Sequence, residues 1–168
     1  NEFRFRIFRE NLRRAEELNK KDTAKYGVTK FMHLSPEDFQ KFYLMTNFST
    51  PKMRGEKVPV TDYKPKVSLD ELPTSYSWVE KGMTTPIYNQ GQCGSCWAFS
   101  VTEATESMAA IAGKGLHSLS MQELVDCDTE DAGCNGGNPP NAYNWLINDG
   151  KGFESYQDYP YVAYGQQC

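Results

Sequence analysis

Apolar and polar positions alternate in several registers along the chain, and each register predicts an element. Arg4, Phe8, Asn11, Ala15 and Asn19 fall four or three residues apart, so residues 1–20 read as a helix with these side chains on one face. Arginine and asparagine on that stripe are odd for a plain core face. Tyr26–His33 alternates and reads as a short strand. Ser35-Pro36-Glu37-Asp38 opens a second helix, with Ser35 as N-cap, Pro36 at the first helical position and Asp38 in the capping-box place; Phe39, Phe42 and Tyr43 form its apolar face. Residues 49–70 show no period and carry Pro51, Pro59 and Pro65, as an extended linker would.

Beyond the linker the pattern becomes helical again. Ala98, Val101, Thr105, Met108 and Ala112 recur at helical spacing after Cys96, and Gly113 is a fitting C-cap. Ser120 with Glu123 forms a capping box ahead of Leu124 and Val125. A last helix is predicted over roughly Pro140–Asn148, stopped by Gly150.

The stretch Asn89-Gln-Gly-Gln-Cys-Gly-Ser-Cys-Trp-Ala-Phe-Ser100 carries the candidate chemistry. Cys96 stands at the head of a long helix, where a thiol feels the positive end of the macrodipole and a first-turn N–H is free to donate. A helix N-terminus or a cationic neighbour favours the thiolate, which is the nucleophilic form. Gln90 can bring its side-chain amide to the same place, and an amide with a backbone N–H aimed at one point makes an oxyanion hole. A thioredoxin-type redox pair at Cys93 and Cys96 would need a βαβ pattern around it, which the sequence lacks. A zinc site would need a second ligand pair, also absent, so no metal or other cofactor is expected.

These residues resemble the nucleophile segment of papain-family cysteine proteases, whose local motif is Cys-Gly-Ser/Ala-Cys-Trp/Tyr. The resemblance implies Cys96 as nucleophile and Gln90 as oxyanion donor, with Gly94, Ser95 and Trp97 bordering the substrate. Gly133-Cys-Asn-Gly-Gly137 is similar to the family's substrate-binding turn. By that likeness Gly136 and Gly137 pair with the substrate main chain, while Asn138 and Pro139 border the pocket for the residue two before the scissile bond. The N-terminal helix is similar to the ERFNIN motif of cathepsin L-like propeptides, with Ala15 closer to the cathepsin F-like variant. Gly27 and Phe31 match a second propeptide motif, in which Thr29 replaces Asn and His33 replaces Asp. His33 is buried and neutral, so that mild acid releases the propeptide, or paired with a carboxylate, so that acid tightens it, or exposed and indifferent; its neighbours Phe31, Met32 and Leu34 favour the first.

The implied fold is α+β: a helical inhibitory propeptide over residues 1–48, an extended linker through the cleft over 49–71, and over 72–168 the mostly helical left lobe of a papain-like peptidase domain. The β-rich right lobe is expected to be missing. A protease of this kind needs a histidine base and an orienting asparagine, roughly 130–150 residues past the nucleophile. His33 and His117 do not fit that place, and the chain starts at Asn1 rather than Met. The expectation is a partial sequence, inactive as given. The function implied is a cysteine endopeptidase zymogen acting on protein and peptide substrates and held by its own propeptide. The alternative is a truncated, non-catalytic inhibitor of such proteases.

Charge and cysteines refine the picture. Residues 1–70 hold 15 Lys and Arg against 10 Asp and Glu, whereas residues 71–168 hold 3 against 12, so a basic part is expected to cover an acidic one. The basic residues are interleaved with acids, which argues against a nucleic-acid partner, and no apolar run reaches membrane-spanning length. Five cysteines suggest two bridges and one free thiol. The resemblance implies Cys93–Cys134 and Cys127–Cys168. Disulfides imply an oxidising route, to a lysosome or out of the cell, and Asn47-Phe-Ser49 is an N-glycosylation sequon that agrees with it.

Overall fold

A computed structural model describes residues 2–44, 67–149 and 152–168. Most of the expected linker and the sequon at Asn47 lie outside these residues, as does Gly150.

Helix α1 spans Glu2–Asn19 and buries Ile7 and Ala15. The asparagines on its stripe have a specific use. Asn11 Nδ2 donates to the carbonyls of Met32 and Leu34, both at 3.0 Å. Asn19 bonds both backbone groups of Tyr26, donating to its carbonyl at 2.8 Å and accepting from its N–H at 2.7 Å. The expected strand at Tyr26–His33 is therefore not formed. Its backbone is pinned to a helix by side chains instead of pairing with another strand, and it ends in turns. His33 is exposed, contrary to the buried position expected for it, while its neighbour Leu34 is buried.

Helix α2 spans Pro36–Tyr43, and Ser35 Oγ accepts from the Asp38 N–H as the capping pattern predicts. The rings of Phe31, Phe39 and Tyr43 gather with centroids 5.0–5.4 Å apart, which ties α2 to the segment that α1 holds. A single 3₁₀ turn follows at Leu69–Glu71.

The core belongs to the C-terminal part. Helix α3, Cys96–Ile111, packs against α4, Met121–Cys127, and α5, Pro139–Asp149. Trp97, Ala98, Val101, Met121, Leu124, Ala142 and Trp145 fill the space between them. The apolar stripe expected on α3 is rotated. Met108 and Ala112 face solvent, and Thr102, Glu106 and Ala110 are buried in their stead. Polar side chains can take those places because each is satisfied. Thr102 Oγ1 donates to the Ala98 carbonyl at 2.9 Å, and Glu106 accepts from Thr85 Oγ1 and from the Leu119 N–H.

Helix α3 ends at Ile111, and Gly113 adopts a left-handed φ of 76° just past it. At α4, Ser120 Oγ accepts from the Glu123 N–H at 3.0 Å, and the Ser120 N–H donates to the Glu154 carbonyl. Among the described residues there is no β-strand, only one antiparallel bridge between Leu119 and Ser155. No described helix is long and apolar enough to cross a membrane.

Candidate active site

Cys96 is the first residue of α3, and it is the one unbonded cysteine, with its side chain exposed. The turn that delivers it is clamped from below. Cys93 is buried and bonded to Cys134, and the Gly94 N–H donates to the Cys134 carbonyl at 2.8 Å. Cys127 is bonded to Cys168, which closes a second loop over the same region. The N-terminal end of α3 therefore faces solvent through the Cys96 thiol. Of its first-turn N–H groups, those of Ala98 and Phe99 donate to the Ser95 carbonyl at 2.9 and 3.2 Å, and the macrodipole adds partial positive charge at this end.

Gln90 lies on the same turn. Its Nε2 donates to the Cys93 carbonyl at 2.9 Å and to the Tyr43 carbonyl at 3.0 Å, so both amide protons are engaged. The second acceptor comes from the last residue of α2.

Trp97 points the other way. It is buried, and its Nε1 donates to the Gly133 carbonyl at 3.1 Å. Gly137 lies against the face of its indole. A Cβ at that position would come within 2.5 Å of Trp97 Cδ2 and 2.9 Å of Asp131 Cβ, so only glycine fits. Gly136 is buried with a φ of 122°, and its carbonyl accepts from the Ala132 N–H. Asn138 is half-buried with its N–H bonded to Asp131 Oδ1 at 2.8 Å, and Pro139 opens α5. The disulfide, the tryptophan and the glycine turn thus gather at the head of α3, with Gly94, Ser95, Trp97 and Gly136 buried, Gly137 half-buried and Cys96 exposed.

The histidines are not part of this gathering. His117 is exposed in the loop after the far end of α3, with Nε2 3.3 Å from the Lys114 carbonyl. Exposed His33 belongs to the connection between α1 and α2. Among the described residues no group of three or more His, Cys, Asp or Glu side chains is gathered to hold a metal ion.

The structure adds three participants that the sequence did not single out. Tyr161 joins Gln90 and Ser95 through its hydroxyl. Asp131 supports the glycine turn through Asn138 and, at 3.2 Å, through Asn141 Nδ2. Asp128 is buried beside Asp131, and burial pushes its carboxyl up to about 7, helped by the neighbouring charge of Asp131 against the Glu130 N–H that pulls it down. The Asp-x-x-Asp spacing ahead of Gly133 was the one local hint. The tyrosine had none, because its partners lie 66 and 71 positions away.

The chain's likenesses agree with this geometry. Residues 72–168 match the family model described as papain family cysteine protease, and residues 2–39 match the cathepsin propeptide inhibitor domain. Cysteine proteinase 1 of Dictyostelium discoideum is 43 % identical over 98 % of this chain and 52 % of its own length. Cathepsin F of Mus musculus is 42 % identical over 99 % of this chain and 35 % of its own length. The solved structure of digestive procathepsin L2 proteinase from Tenebrio molitor larval midgut superposes with a TM-score of 0.82 at 32 % identity, covering 99 % of this chain and 55 % of that one. Recombinant stem bromelain precursor gives 0.82 at 30 % identity, over 99 % and 52 %. The chain thus spans about half or less of the length of these relatives. The match covers more than half of the chain and includes Cys96 and its turn, and the chain belongs to the papain family of cysteine proteases.

Proposed function

We propose that this chain carries the inhibitory segment and the nucleophile-bearing part of a cysteine endopeptidase zymogen. In this reading residues 1–48 form the inhibitory domain, 49–71 the segment through the cleft, and 72–168 the first part of the peptidase. The carrying observation is the single unbonded, exposed thiol at the start of α3, with the Gln90 amide nitrogen fixed on the same turn.

The chemistry follows from those positions. The Cys96 thiolate attacks the scissile carbonyl carbon, and the C=O electron pair moves onto oxygen. That oxygen is held by Gln90 Nε2 and by the N–H at the head of α3. Collapse expels the amine, which takes its proton from an imidazolium, and water then cleaves the thioester. Gly137 presents backbone to an extended peptide, whereas buried Gly136, expected to share that role, uses its own N–H and carbonyl inside the turn, and Asn138 and Pro139 border the subsite beside it. The base and its orienting partner come from outside this span, since His33 and His117 lie elsewhere, and the chain alone does not turn over substrate. Two disulfides and the sequon at Asn47 favour a lysosomal or extracellular setting.

The test is peptide hydrolysis by the full-length protein that contains this chain, beside its Cys96→Ser variant and the 168-residue chain. Turnover by the first alone is expected. Undiminished turnover in Cys96→Ser would overturn the reading. Inhibition of another papain-like protease by the 168-residue chain, with no turnover by the full-length protein, would replace it with a non-catalytic inhibitor.

A further inference from the structure

Three α-helices among the described residues begin after a serine, and the three serines do not behave alike. Ser35 and Ser120 have extended backbones, with ψ of 162° and 107°, and each hydroxyl accepts an N–H of its own helix. Ser95, ahead of Cys96, has ψ of 13° and makes no side-chain cap. It is fully buried, so its hydroxyl needs another partner. That partner is Tyr161 Oη at 2.6 Å.

The proton count fixes the direction of each bond. Tyr161 has one hydroxyl proton, and the Gln90 carbonyl at 2.7 Å can only accept it. Tyr161 therefore donates to Gln90, and Ser95 donates to Tyr161. The phenol sits between the residue that bears the amide and the residue that precedes the thiol. Burial pushes the Tyr161 phenol up, against the pull of its Ser95 bond, so the proton it donates is retained. The ring is braced as well. Phe99 meets it edge-on at 4.8 Å, and Ala163, held at a φ of 64°, closes against Gly91 so tightly that a Cβ there would lie 2.9 Å from the alanine Cβ.

We propose that Tyr161 is a positioning residue for the oxyanion hole: its hydroxyl locks the backbone from which the Gln90 amide projects to the Cys93 carbonyl, on the turn that leads into the nucleophile helix. It touches neither substrate nor sulfur and acts through Gln90. The proposal rests on the reading of Gln90 as the oxyanion donor. The lock acts on a group whose use is greatest when charge develops on the carbonyl oxygen. Its loss thus lowers kcat and leaves KM in place.

In the full-length protein, Tyr161→Phe removes only the hydroxyl and is expected to lower kcat about tenfold at unchanged KM. In a Gln90→Ala background the same change is expected to lower kcat no further, because the positioned group is gone. Unchanged kcat, or equal losses in both backgrounds, would overturn the proposal. Should Tyr161→Phe not fold, Ser95→Ala removes one of the two bonds and must show the same dependence on Gln90. The 168-residue chain gives an answer that needs no turnover. There Tyr161→Phe is expected to shift the Gln90 side-chain amide resonances and leave those of Asn11 on α1 unmoved. A stationary Gln90 signal would overturn the lock even if peptide hydrolysis stands, whereas absent hydrolysis with a shifted signal would overturn only the enzymatic reading.

Discussion

The side-chain amide of Gln90 donates to the carbonyl oxygen of Tyr43 at 3.0 Å, across 47 positions of sequence. A backbone carbonyl from the N-terminal half thus occupies the donor that the proposed mechanism assigns to a substrate oxygen. The contact is neutral and of ordinary length, and the rings of Phe31 and Phe39 pack against that of Tyr43.

Replacing Gln90 by alanine removes a donor that acts mainly in the transition state. In the mature full-length enzyme kcat is expected to fall by about 10²–10³ with little change in KM. A steady-state comparison of the two forms checks it. Substitution also removes the bond to Tyr43, so residues 1–70 added in trans should inhibit about fivefold less well, which is the worth of one neutral hydrogen bond of about 1 kcal/mol.

Gly137→Ala forces a methyl group into the indole of Trp97, with the nearest ring carbon at 2.5 Å. The ring is buried and its nitrogen is bonded to Gly133, so it yields little. Destabilisation of about 1–3 kcal/mol is expected from such overpacking. Thermal unfolding of the 168-residue chain measures it, and a Tm equal to that of the parent would contradict the rigidity assigned to Trp97.

The buried acid pair gives a pH dependence of definite sign. The Asp128 carboxyl titrates at about 7 in the folded chain against 3.8 for the ordinary group, so the folded state holds its proton more tightly. That contribution to stability is fully present below about pH 3.8 and is lost as pH rises through 7. Asp128→Asn removes the titrating proton while its carbonyl can still accept from the Glu130 N–H, 2.8 Å from Asp128 Oδ1. The variant should therefore melt higher than the parent at pH 8 and close to it at pH 4. The opposite order at pH 8 would show that the negative charge is stabilising.

Glu106 is 1 % exposed on α3, and its carboxyl joins Thr85 to the Leu119 N–H. Glu106→Leu takes the acceptor away from two half-buried donors, the Thr85 hydroxyl and the Leu119 N–H. A loss of about 2 kcal/mol is expected, seen as a lower denaturation midpoint at unchanged slope.

How much of this was legible depended on how local the cause was. Ser35 with Pro36, and Ser120 with Glu123, announce helix starts because the capping atoms lie within three residues. The Cys96 turn was legible for the same reason. The strand expected at Tyr26–His33 was misread because the acceptors and donors of that segment are taken by Asn11 and Asn19, a tertiary choice that alternation alone does not encode. The polar stripe on α1 was the trace of that choice. The stripe on α3 was misread because the burial of Glu106 depends on two distant donors, which helical spacing does not encode. His33 was misread from its apolar neighbours. It is exposed, so the acid-release device expected of it has no buried group to act on.

The two disulfides interleave. One closes the loop from Cys93 to Cys134 and the other the loop from Cys127 to Cys168, each over 41 positions, so each loop contains one cysteine of the other. A chain entering an oxidising compartment N-terminus first presents four thiols before Cys168 arrives. During that interval Cys127 has no native partner, and Cys96, which must finish unbonded, stands three residues from Cys93 as its rival for Cys134. For a chain that folds in such a compartment this is a proofreading requirement that the finished fold no longer displays: any premature bond at Cys127 or Cys96 must be exchanged before both native pairs can close.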